Sequence, residues 1–63
     1  MPNQSDFETV VTLALKNIAP VTVSVIENKA KLIAPAFDMD DVHIGNAVKR
    51  LSVKFLPVMR KIQ

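Results

Sequence analysis

Asp40 and His43 stand three residues apart, a spacing that puts a carboxylate and an imidazole on one side of a helix, with Asp38 close by. That is half of a metal site. The 63-residue chain holds one histidine and no cysteine, so closing such a site would take ligands from another chain. The same residues are explained more simply as a capped helix start followed by an exposed histidine. Ser5, Ser24 and Ser52 lie in no nucleophile elbow, and no phosphate loop or dinucleotide fingerprint is present. A chain this small also has little room for a pocket of ligand size. These residues point away from an enzyme, and no metal or cofactor is expected.

The remaining chemistry is charge. All six acids fall within residues 1–41, which carry −3, whereas residues 42–63 carry five basic residues and no acid. Such asymmetry can mark an anionic partner. It also follows from the helix dipole, which favours acids at the front of a helix and bases at its end.

The element that positions these charges is a basic helix expected over 39–62. Asp38 has the chemistry of its N-cap, with Phe37 and Val42 placed to form a hydrophobic staple across it. Ile44, Val48, Leu51, Phe55, Val58 and Ile62 follow in steps of four and three, a heptad seam suited to pairing with a second helix. Val42, Val53 and Leu56 lie off that seam, which gives the helix more than one apolar side and predicts two neighbours, one of them a second chain. Gly45 weakens the helix interior, and Pro57 predicts a kink near 57 or a short helix restarting there.

Two shorter helices are expected to cover this one. Residues 1–4 carry no periodic signal and read as a frayed end, leaving 5–63 as a single domain. Ser5 and Glu8 form a capping box opening a helix over 5–18, whose stripe is Phe7, Val11, Ala14 and Ile18, widened by Val10 and Leu13. Pro20 interrupts and suits the first turn of a second helix over 20–33, with Val23, Ile26, Ala30 and Ile33 inward. The alternation in Val21–Ile26 also fits a strand, but a lone strand would have no partner within the chain. A single kinked helix from Asp6 to Ile33 is the other alternative. Pro35 breaks the chain before the basic helix.

From about residue 30 to 51 the pattern loosely resembles a helix-turn-helix: Ile33-Ala34, Phe37, Asp38, Met39, Asp40, Ile44 and Leu51. The resemblance implies a DNA-binding regulator using the basic helix 39–56, in which Asn46 reads adenine while Lys49, Arg50 and Lys54 hold phosphate or guanine. Pro35 departs from the pattern, falling where the motif's first helix would run, and the turn has no glycine.

Length bounds the rest. A chain of 63 residues buries only about 60% of its unfolded surface, so small domains lean on disulfides, metals or association. Without cysteine, association is the expected remedy. No signal peptide is visible, and the longest internal run without a charge, ten residues between Lys16 and Glu27, is too short to span a bilayer. The expectation is an all-α hairpin or three-helix unit, cytoplasmic, non-enzymatic, completed as a homodimer through Ile44–Ile62 and binding a protein of unnamed identity. DNA is the alternative partner, and a membrane surface ranks last.

Overall fold

The computed structural model describes residues 3–56. They form three helices, α1 (Gln4–Ala14), α2 (Val23–Ile33) and α3 (Asp41–Phe55), with a 3-10 turn, Ala34–Phe37, between the last two. Among the described residues there is no strand, and no helix is long and apolar enough to cross a membrane. The all-α expectation holds. The boundaries differ from it at each end, and each difference has a local cause.

α1 opens two residues earlier than the serine box predicts. Asn3, in an extended conformation, accepts the Asp6 N–H on its side chain. Ser5 is therefore already inside the helix, and Glu8 is released from capping to take other partners. Thr9 and Thr12, both β-branched, return their hydroxyls to the carbonyls of Ser5 and Glu8. The helix ends with Leu15 as its C-cap, four residues short of the expected limit, and the chain then turns through a cis Ala19–Pro20 bond. A continuous kinked helix is thereby excluded. Leu15 takes the buried place expected of Ala14.

The ambiguous Val21–Ile26 stretch is extended only up to Thr22. The Thr22 hydroxyl then accepts the Val25 N–H and starts α2 at Val23, three residues after the position Pro20 suggests. Ile26 and Ala30 face inward, joined by Ala34, while Val23 is 47% exposed.

The largest shift concerns α3. Its N-cap is Asp40, not Asp38. Pro35 sits in the first turn of the 3-10 segment, where a missing N–H costs nothing, and Asp38 closes that segment in the left-handed region at φ 54°. The Asp38 and Met39 N–H groups donate back to the carbonyls of Pro35 and Ala34. Two more residues are then needed before the helix begins, and Asp40 accepts the His43 N–H at 3.0 Å. The residues flanking the cap move accordingly: Met39 is buried before it and Ile44 packs on the core after it, whereas Val42 points to solvent. α3 ends at Phe55 with Leu56 as C-cap, as a residue preceding proline is disfavoured in the α region. The expected kink near 57 and the continuation to 62 lie outside the described residues.

One core results, built from Phe7, Val11 and Leu15 of the first segment, Ile26, Ala30 and Ala34 of the second, and Met39, Ala47 and Leu51 of the third. Phe7 meets Phe37 at 5.9 Å between ring centroids. The three alanines let the helices approach closely around two large fillers, Phe7 and Ile26.

Candidate functional site

The seam residues of α3 have a partner within the chain. Leu51 is 4% exposed, and Ile44, Val48 and Phe55 are half-buried against the same core. Val58 and Ile62 lie outside the described residues. The seam's hydrophobicity is thus largely absorbed by α1 and α2, and Leu51 reaches no second chain unless the core opens. The off-seam residues behave differently: Val42 is 69% and Val53 48% exposed.

Between α2 and α3 runs an open groove of about 520 Å³. Val23, Glu27 and Lys31 of α2, each four residues from the next, form one wall; Asp41, Gly45 and Lys49 of α3 repeat that spacing on the other, with Ile44, Val48 and Ser52 completing the lining. Glu27 and Lys31 pair with each other at 3.5 Å. Asp41 and Lys49 have no ion pair among the described residues. At Gly45 an added Cβ would meet nothing within 4 Å, so the fold imposes no steric need for glycine there. The Ser52 hydroxyl oxygen is buried without a hydrogen-bond partner.

A second, smaller and more polar groove lies between α1 and α3, lined among others by Glu8, Arg50 and Lys54. Here Arg50 donates to Glu8 at 3.1 Å, and Gln4 donates both to Glu8 and to the His43 carbonyl, tying the front of α1 to α3. The expected nucleic-acid set is therefore divided. Asn46, Lys49, Arg50 and Lys54 are all exposed, but Lys49 lines the α2 side, Arg50 and Lys54 line the α1 side, and Arg50 is already engaged.

At the front of α3, Asp40 Oδ1 lies 2.6 Å from His43 Nδ1. The His43 backbone N–H and then the His43 ring hold the Asp40 carboxyl below its ordinary pKa. Capping accounts for both contacts. Among the described residues no three His, Cys, Asp or Glu side chains converge on a point that could hold a metal ion.

The α2 contribution to the large groove was not singled out from sequence, although its signal was present: Val23, Glu27 and Lys31 at i, i+4 and i+8 read as solvated positions until α3 is laid beside them. No family model matches the chain, and neither a curated protein nor a solved structure is significantly similar to it.

Proposed function

We propose that this chain is a non-enzymatic helical interaction protein of regulatory type, which self-associates and binds a further protein through the outward side of α2 and α3. What carries the reading is the apolar surface left uncovered there: Val42, Val53 and Val23 stand exposed around a groove lined by Ile44 and Val48. The nine buried residues among those described make a small core for a free-standing domain, and further apolar burial on association offsets that deficit. A cysteine-free chain needs no oxidising compartment, which suits the cytoplasm.

The test is sedimentation equilibrium from micromolar to millimolar protein. The parent chain is expected to self-associate, and Val42→Glu with Val53→Glu to be monomeric with an unchanged helical spectrum. A parent chain that stays monomeric throughout removes self-association from the reading.

DNA binding is the second reading, favoured by two observations. Asp38 supplies a left-handed residue in the turn between α2 and α3, and Pro35 lies in that turn rather than in α2, which lifts the objection to the helix-turn-helix pattern. Against it, Asp40 and Asp41 bring negative charge to the front of α3, and Arg50 is paired with Glu8. Fluorescence anisotropy with a mixed-sequence duplex at low salt decides: binding that falls steeply with salt and weakens in Lys49→Ala supports it, and no binding removes it.

A further inference from the structure

We propose that the α2–α3 groove edge is occupied by another copy of this chain, docked by an antiparallel crossing of α3 on α3 centred at Gly45. The proposal rests on the self-association argued above and adds its register. Asp41, Gly45 and Lys49 form one i, i+4, i+8 ridge along the groove. About 6 Å of helix separates Gly45 from each charge, at 1.5 Å per residue. An antiparallel two-fold about Gly45 brings position 45−n of one protomer to position 45+n of the other. Asp41 then meets the partner's Lys49, Lys49 meets the partner's Asp41, and Val42 faces the partner's Val48. A two-fold interface must be self-complementary, and opposite charges equidistant from the axis satisfy that condition.

Three features single out this ridge. First, Asp41 and Lys49 are the groove's charges without an ion pair among the described residues, since Glu27 and Lys31 satisfy each other on the opposite wall. Second, Gly45 is a residue the protomer itself does not require: its φ is not positive and a Cβ would enter open space. Glycine at a crossing point lets a second backbone come close, and ridges of i±4 spacing are those that interdigitate in the commonest helix crossing. Third, the flanks are apolar, with Val42 exposed on the outer side and the half-buried Ile44 and Val48 lining the groove on the inner. One helix crossing buries little area, so the dimer is weak and exchanging.

The test exploits the reciprocity of the pairs. Asp41→Lys makes both ridge charges positive, and Lys49→Asp makes both negative, so each variant alone repels its own copy. Mixed one to one, the two are complementary at both contacts. Sedimentation equilibrium of the full chain at high concentration and low salt should show each single variant self-associating at least about tenfold more weakly than the parent, and the mixture recovering the parent's affinity. Circular dichroism checks that each variant is folded. Should either fail to fold, Asp41→Asn with Lys49→Gln serves instead, and its dimer should lose the parent's salt dependence. A parent that dimerises while the single variants and the mixture behave identically overturns this register and leaves self-association standing. A parent that is monomeric at millimolar concentration overturns both.

Discussion

Replacing Gly45 by alanine isolates one energy from the rest of the fold. Gly45 lies in the fifth position of α3, exposed, with ordinary helical backbone, and a Cβ there meets no atom within 4 Å. No contact is gained and no clash is made. What remains is the backbone entropy that glycine loses and alanine does not, about 1 kcal/mol in a helix interior. Domains carry about 0.05–0.15 kcal/mol per residue, so this is a large fraction of the stability of so short a chain. A urea slope near the low end for small proteins, about 1 kcal/mol/M, converts it to a rise of roughly 1 M in the unfolding midpoint. The corresponding thermal shift is about 4–8 °C. Urea titration followed by circular dichroism, at low micromolar protein, measures it on the monomer. An unchanged or lowered midpoint would refute the reasoning, because it would mean that something within the protomer already occupies the space beside residue 45. Repeating the titration at high concentration adds a second readout: a methyl interposed at the proposed crossing should make the gain smaller there.

Ser52→Ala should be neutral or stabilise by up to about 1 kcal/mol, since it deletes a buried hydroxyl oxygen that has no partner and improves helix propensity; a loss larger than that in the same urea titration would reveal a hydrogen bond to the hydroxyl. Asp40→Asn keeps a capping side chain but removes its titration. Because the folded state holds the Asp40 carboxyl below its ordinary pKa, its charge-dependent stabilisation is present above the unfolded pKa and is lost as pH falls through the folded one, so the variant should show a flatter acid limb of stability than the parent; equal slopes would exclude the contribution. At the left-handed Asp38, glycine should be tolerated, while isoleucine should cost about 1–2 kcal/mol by thermal melting, an equal effect of the two speaking against the left-handed turn. Leu51→Ala should cost about 2–5 kcal/mol, the range for a buried leucine, at any protein concentration; a loss that appears only where the chain associates would return Leu51 to an intermolecular seam.

The sequence made the three helices legible because apolar periodicity reports a buried face without needing to know what buries it. The periodicity marks Phe7, Val11, Ile26, Ala30 and Leu51 as inward, and all five are buried. Caps were less legible. Ser5 and Asp38 have good capping chemistry, yet Asn3 and Asp40 hold the caps, since a cap is decided by which residue the incoming chain leaves extended. At Asp38 that depended on a 3-10 turn begun at Pro35, a geometry that several residues determine together. The seam exposed a different ambiguity. A step pattern of four and three is the same whether the covering helices belong to the same chain or to another, and here α1 and α2 cover Leu51.

That ambiguity explains why the functional weight moves from one side of α3 to another. The helix has to fill a core with Ala47 and Leu51, and a three-helix chain of this length has two other helices to set against it. Two helices packed on one side leave the opposite side to water, where packing asks nothing of the sequence and polar residues would serve equally well. Val42 and Val53 stand there nevertheless, and Gly45 weakens the helix at a point where the protomer gains nothing from glycine. Each costs the monomer solubility or helix stability without a return in its own core. An exposed ridge notched by Gly45, with Asp41 and Lys49 four residues to either side and Val42 beside it, is a poor surface for a monomer and a suitable one for a helix that meets its own copy, whereas Lys54 lies in the last turn, where the dipole favours it, and Arg50 is held by Glu8.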